Sequence, residues 1–216
     1  MTIAKIGIIR VVSSNDQSFI ETHQRLLQPL LPDYELASRA LPDQPEGIHD
    51  ATTFAQALPK IRQMANQWQH ELDLLMISCA ADPGVKMLQS ELSIPVVGAG
   101  ESCARKAARY GDHIAILGIE ADAPAIFYEI LAGKTIHYRC PEGIHCTHDI
   151  QTPAGKQAII AAALECEALG ANVIALACTG MATTDVAALL APHTSLTVIN
   201  PVLAAAELIN IRLTLP

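Results

Sequence analysis

Leu74-Leu75-Met76-Ile77-Ser78-Cys79-Ala80-Ala81-Asp82-Pro83-Gly84 is an apolar run that ends in a thiol and breaks into a turn. The other half of the chain repeats the pattern, as Val173-Ile174-Ala175-Leu176-Ala177-Cys178-Thr179-Gly180-Met181. Each reads as a strand buried on both faces, because an uninterrupted apolar run leaves no polar face for water. Such strands belong to parallel sheets covered by helices on both sides. Both place a cysteine at the C-terminal end, which is where parallel sheets hold their ligands.

Outward from these two runs, short apolar segments alternate with longer helical patterns, as βαβ units require. Strands are expected near 5–11, 34–40, 73–79, 94–98, 113–118, 134–138, 172–178 and 195–200. Helices are expected near 16–31, 52–70, 84–92, 101–109, 121–132, 154–169, 182–191 and 202–213. Pro153 and Pro201 suit first helical turns, and Gly111, Gly133 and Gly170 stand where helices should end. The two halves match in pattern rather than identity: four strands each, with the third ending in cysteine. The chain therefore divides into a first α/β domain, residues 1–99 plus 201–216, and a second, residues 100–200. The helices starting near Glu101 and Val202 would cross between them. If the carboxyl ends of the two sheets face each other, both thiols look into one cleft.

The 216 residues are half apolar and only 17% charged, which excludes a disordered chain. Aromatic residues are few, so Ala, Ile, Leu and Val must build the core. A net charge of −8 without any Lys/Arg cluster argues against a nucleic-acid partner. The stretch Ile6-Gly7-Ile8-Ile9-Arg10-Val11-Val12 is short, carries Arg10 and lacks a cleavage site, unlike a secretory signal. No apolar run approaches the ~20 residues that span a bilayer. A cytoplasmic protein with six reduced cysteines is expected.

Two thiols facing one another across a cleft form an acid–base pair, which is what inverting a carbon centre needs. A thiolate serves only if its pKa is lowered, and a helix start after each cysteine would contribute to that. A lone strand-end cysteine more often simply fills the core, but two at equivalent positions favour chemistry. Arg10, at the end of the first strand, is placed to pair with a carboxylate or carbonyl oxygens; its stem would otherwise pack and its head reach solvent. Ser13 and Ser14 are candidate donors to a substrate, or helix caps. The loop Asp43-Gln44-Pro45-Glu46-Gly47-Ile48 suits a pocket wall or an ordinary turn. Gly98-Ala99-Gly100-Glu101 is a fragment of a phosphate loop that lacks the remaining glycine of a dinucleotide fingerprint. His137, Cys140, His145, Cys146 and His148 are zinc-type ligands without any compact finger spacing, so an exposed variable loop is expected there, with no metal. A thiol phosphatase needs Arg six residues after its cysteine, and positions 85 and 184 are Val and Thr.

Cys79-Ala80-Ala81-Asp82-Pro83-Gly84 resembles the Cys-x-x-Asp-Pro-Gly signature of hydantoin racemases, and Ala177-Cys178-Thr179-Gly180-Met181 resembles their Gly-Cys-x-Gly-Met. The motifs stand in the expected order with Ile94-Pro95-Val96-Val97-Gly98 between them, and the likeness runs over nearly the whole chain. It points to the aspartate/glutamate/hydantoin racemase superfamily. It implies an α/β fold of two similar flavodoxin-like domains, parallel sheets with helices on both faces, related by pseudo-two-fold symmetry around a cleft that holds the active site. It further implies a two-base mechanism without cofactor: the Cys79 and Cys178 pair carries protons, and backbone N–H groups around Ala80, Ala81, Thr179 and Gly180 hold an enolate.

The chain departs from the family after its first strand, with Arg10-Val11-Val12-Ser13-Ser14-Asn15 where many members carry Asn-Pro-Asn. It also lacks the Cys-Asn-Thr of amino-acid racemases: Ala80-Ala81 and Thr179-Gly180 follow its thiols and offer little to a free carboxylate. A five-substituted hydantoin or related ureide is the expected substrate. The rivals are an amino-acid racemase acting on aspartate, glutamate or a similar anion, and a small-molecule binding protein without chemistry. An arylmalonate-type decarboxylase is a more distant option, which the paired thiols disfavour. The expected partners are the small-molecule substrate and further copies of the chain in a homo-oligomer, with neither nucleic acid nor membrane.

Overall fold

The computed structural model describes residues 3–214, so the outermost residues of the expected first domain, 1–2 and 215–216, lie outside the described residues. Eight strands are found among the described residues, β1 (Lys5–Arg10), β2 (Glu35–Ala40), β3 (Leu74–Ser78), β4 (Val96–Gly98), β5 (His113–Leu117), β6 (Thr135–Arg139), β7 (Val173–Leu176) and β8 (Thr197–Ile199). The α-helices are α1 (Gln17–Ile20), α2 (Thr22–Leu27), α3 (Ala51–Trp68), α4 (Val85–Glu91), α5 (Ala99–Ala107), α6 (Ala125–Ile130), α7 (Pro153–Ala168), α8 (Gly180–Thr183), α9 (Val186–Leu190) and α10 (Pro201–Thr214).

Two four-stranded sheets result, in the orders β2-β1-β3-β4 and β6-β5-β7-β8, with every pairing parallel. The second order repeats the first four strands later, which is the internal duplication read from the sequence. Successive residues of a strand point to opposite faces. Ile9, Leu75 and Ile77 therefore pack under α3 and α4, with Ile61, Ala65, Trp68 and Leu88. Their neighbours Ile6, Ile8, Leu74 and Met76 pack on the other face against Leu27, Leu31, Val202 and Ile209. The second sheet is covered likewise, by α7 through Ile159, Ala163 and Cys166, and by α5 and α6 through Cys103, Ala104, Ala107 and Phe127. Helix α5 thus follows the last strand of one sheet but packs on the other, and α10 returns from β8 to cover the first. No helix among the described residues is long and apolar enough to cross a membrane.

Local chemistry explains most boundaries. Asp50 and Thr53 form a capping box at the start of α3, and Thr152 caps α7 ahead of Pro153. Two expected helices are broken. The segment 16–31 divides into α1, α2 and a 3₁₀ turn at Gln28–Leu30, because Arg10 Nη1 draws the carbonyls of Phe19 and Ile20 at 2.9 and 3.1 Å. The segment 182–191 divides at Asp185, whose left-handed φ of 50° ends α8 while its side chain caps α9. The helix expected over 121–132 shrinks to α6, with Pro124 at its N-cap.

Candidate active site

Cys79 follows β3 directly, and Cys178 stands two residues beyond β7. Both line one cleft cavity of about 80 Å³, and each is 7% exposed. Arg10, Ala80, Ala81, Thr179 and Gly180 line the same cavity. The two turns that carry the thiols differ in kind. Cys178 sits just ahead of α8, and the backbone N–H groups of Gly180 and Met181 face its sulfur. Cys79 is instead separated from α4 by the turn Ala80–Gly84, and only the N–H of Ala81 assists it. The expectation of a helix start immediately after each thiol therefore holds for Cys178 and is corrected for Cys79. Burial outweighs the N–H groups at both sites: it pushes Cys178 up to about 11 and Cys79 higher still. The charges of Glu120 on both thiols, and of Cys178 on Cys79, act in the same direction.

The Gly98-Ala99-Gly100-Glu101 segment has a structural purpose. Asp82, with a left-handed φ of 49°, accepts the N–H of Gly100 at 2.8 Å and of Glu101 at 2.6 Å, so it caps α5 from the Cys79 turn. A Cβ on Gly98 would lie 2.3 Å from Asp82 Cγ, and one on Gly100 would lie 2.1 Å from the Ala80 carbonyl oxygen. The glycines admit the thiol turn rather than a phosphate. Gly180 has a similar reason, since its Cβ would stand 2.8 Å from Thr147 and 3.3 Å from the Cys178 sulfur.

Thr179 is spent differently from a ligand donor, because its hydroxyl donates to the Ser78 carbonyl at 3.3 Å and ties the second thiol turn to the first. Arg10 is 4% exposed and lines the cavity, but none of the ion pairs among the described residues involves it. Its stem and head are both buried, with Phe19 stacked 5.0 Å below the guanidinium, and burial lowers its pKa to about 10.

Ser13 and Ser14 do not line the cavity. The Ser13 hydroxyl accepts the Gln44 N–H, and Ser14 accepts that of Asp16 at 3.0 Å, so both fix local loops. Gly47 and Ile48, from the loop after β2, do form part of the wall. The segment after β6 is also more than an exposed loop, since Thr147 and His148 line the cavity. Among the described residues no group of three or more His, Cys, Asp or Glu side chains comes together as a metal-ligand set. Glu120, Gln151 and Phe19 are cavity residues that the sequence reading missed. Glu120 lies just past the end of β5, as Val12 lies past β1, so applying the strand-end rule to every strand would have found it.

Comparison with known proteins agrees with this geometry. A search of curated proteins found no match. Among solved structures, the chain is similar to an allantoin racemase from Pseudomonas fluorescens, with 21% identity over 98% of this chain and 92% of that one and a TM-score of 0.80. It is also similar to an allantoin racemase from Klebsiella pneumoniae, with 18% identity, 96% and 86% coverage and a TM-score of 0.77. A glutamate racemase from Bacillus anthracis shares 17% identity over 96% of this chain and 81% of its own, with a TM-score of 0.72. At these identities the likeness establishes the two-sheet fold. The model of the Asp/Glu/hydantoin racemase family matches residues 6–209, nearly the whole chain, and with both thiol turns inside that span the chain belongs to this family of isomerases.

Proposed function

We propose that the chain is a cofactor-independent racemase of small five-substituted hydantoins or related ureides, with Cys79 and Cys178 as its acid–base pair. The observation that carries this reading is the convergence of two thiols, each from the end of its own sheet, on one small and largely apolar cavity. One sulfur, as thiolate, takes the proton from the stereocentre and becomes a thiol. The planar enolate then takes a proton from the other sulfur on its opposite face, which leaves that sulfur as the thiolate. The substrate emerges inverted and the enzyme returns with its roles exchanged. The N–H groups of Ala81 and Gly180, on the two turns that line the cavity, are placed to serve the enolate oxygen. Burial keeps both thiols protonated in the free protein, contrary to the lowered pKa expected from the sequence, so the reaction requires one of them to ionise when substrate binds; the sulfur so ionised is a strong base. Ala80, Ala81 and Gly180 surround the thiols with small side chains, which favours a neutral ring over a free amino acid.

A second reading, a racemase of aspartate, glutamate or a similar anion, draws support from Arg10, a buried cation that forms no ion pair among the described residues. The same family reading divides the chain at 1–99 plus 201–216 and at 100–200, supported by the packing of α5 on the second sheet and α10 on the first. The test is incubation of single-enantiomer hydantoins, allantoin, aspartate and glutamate in heavy water, following optical rotation and deuterium at the stereocentre. Rotation decaying with deuterium gain on the ureides alone is the expected result. Decay on the acidic amino acids alone moves the assignment to the second reading. Cys79→Ser and Cys178→Ser should each abolish inversion, and either variant with full activity in both directions overturns the two-thiol mechanism.

A further inference from the structure

His23, on α2, is completely buried and belongs to neither thiol turn, yet it bonds to the flanks of both. Its Nδ1 lies 2.7 Å from the hydroxyl of Ser78, the residue before Cys79. Its Nε2 lies 2.9 Å from the hydroxyl of Thr183, at the end of α8, the helix whose N–H groups face Cys178. One proton assignment satisfies the whole chain of bonds. Ser78 donates to Nδ1, Nε2 donates to Thr183, and Thr183 donates to the Thr179 carbonyl at 3.5 Å. The Thr179 hydroxyl completes the circuit back to the Ser78 carbonyl. Reversing the tautomer would turn the Thr183 proton toward the ring and leave the Thr179 carbonyl without it.

The position is also anchored from behind. Arg10, at the end of β1, holds the carbonyls of Phe19 and Ile20, so the junction that launches α2 is fixed to the first sheet. Burial and the neighbouring Arg10 charge keep the imidazole neutral, as an accepting Nδ1 requires. A leucine at this core position would leave the buried Ser78 hydroxyl without its partner. A fully satisfied buried network contributes a single defined arrangement instead.

We infer that His23 is a positioning residue of the racemase, a clasp through which Ser78 and Thr183 set the spacing and orientation of Cys79 against Cys178. The inference rests on the two-thiol reading proposed above. Inversion needs both sulfurs in place at once, one on each face of the planar intermediate. With the clasp gone, one sulfur still removes a proton, exchanges it with solvent and returns it to the same face. Exchange then outruns inversion, whereas a general loss of folded protein would lower both alike.

The experiment compares the wild-type protein with His23→Leu and Thr183→Val, using one enantiomer of 5-methylhydantoin in heavy water. Both variants should lower kcat for inversion by about 10–100-fold, with KM changed by less than about threefold. The ratio of deuterium exchange to inversion should rise by about fivefold or more in the same variants. An unchanged ratio with unchanged kcat overturns the clasp. Thr183→Val removes the two bonds of a half-buried hydroxyl at the cavity wall, to His23 and to the Thr179 carbonyl, and leaves the buried imidazole in place, so it carries the test if His23→Leu does not fold. A substrate-free arm uses dibromobimane, which bridges paired thiols, with the Cys79–Cys178 link read by peptide mass. The bridging yield should fall about threefold or more in each variant, and an undiminished yield in folded protein overturns the clasp. Wild-type protein inert towards every hydantoin and acidic amino acid would sink the two-thiol reading, and the bridging arm would then decide the clasp alone.

Discussion

Replacing Gly100 with alanine tests the link between the thiol turn and the helix that follows it. On helix propensity alone the change should stabilise the protein by up to about 1 kcal/mol, since Gly100 lies in α5 with an ordinary backbone conformation. The geometry predicts the opposite. The new methyl would sit 2.1 Å from the Ala80 carbonyl oxygen and 2.9 Å from Ile126, so the turn or the helix must retreat by about an ångström. Ala80 is buried against Cys103 and Phe127 and has no room to yield. Overpacking of this kind costs about 1–3 kcal/mol. Parting the Gly100 N–H from the Asp82 carboxylate costs about 1.5–3 kcal/mol more. After the propensity gain, the net loss is about 2–5 kcal/mol, or roughly 4–20 °C in Tm for a chain of this size. The displaced turn carries Cys79, so kcat should fall about 100-fold even at temperatures where the variant is folded. Thermal melting by circular dichroism and racemisation at 25 °C measure the two effects. A Tm that rises by a degree or two with full activity would refute the account of Gly100 as the space for the Cys79 turn. Gly133→Ala is the matched control, because its Cβ meets nothing within 4 Å and only its φ of 84° is at stake. It should cost about 1–2 kcal/mol and leave turnover alone.

Two further outcomes follow from the site. With burial holding Cys178 near 11 and Cys79 above it, both thiols are protonated in the free protein at neutral pH, so iodoacetamide labelling of Cys178 should climb about tenfold per pH unit from 7 to 10. Glu120→Gln removes a negative charge that opposes ionisation of both sulfurs, so labelling at pH 8 should accelerate about threefold or more; a plateau below pH 8, or a slower variant, contradicts this electrostatic picture. Cys103, packed at 3.5 and 3.6 Å from the carbonyls of Leu176 and Ile199, belongs to the core rather than the chemistry. Cys103→Ala should lower stability by about 1 kcal/mol in chemical denaturation and leave kcat unchanged.

What was legible in the sequence was what short-range patterning determines. Runs such as Leu74–Ser78 and Val173–Leu176 declare buried strands because both faces must be apolar, and the repeated cysteine at the strand end pointed to the cavity that both thiols line. Illegible features depend on partners far away in the chain. Nothing near Phe19 announces that Arg10 will take its carbonyl and break the helix there. Ser13 reads as a free hydroxyl until Gln44, from the next loop, arrives to use it. His148 looks like a candidate zinc ligand by composition, and only the return of its loop over the cleft makes it a wall residue. Gly98 and Gly100 imitate a phosphate loop because close approach by any group, ligand or peptide, calls for the same missing Cβ.

The passage of the chain between the two sheets has a mechanical consequence. It crosses at two places, entering α5 after Gly98 and entering α10 after Asn200. The crossings are neighbours, since Cys103 on α5 reaches the carbonyl of Ile199 and its helix mate Ala104 packs with Ala204 of α10. Two adjacent joints on one side behave like the spine of a book, which lets the covers part about a single axis and resists their twisting or sliding past each other. Any swing that widened the gap between the sulfurs would have to break the Thr179–Ser78 bond and the His23 bridge from Ser78 to Thr183, so these bonds act as the latch opposite the spine.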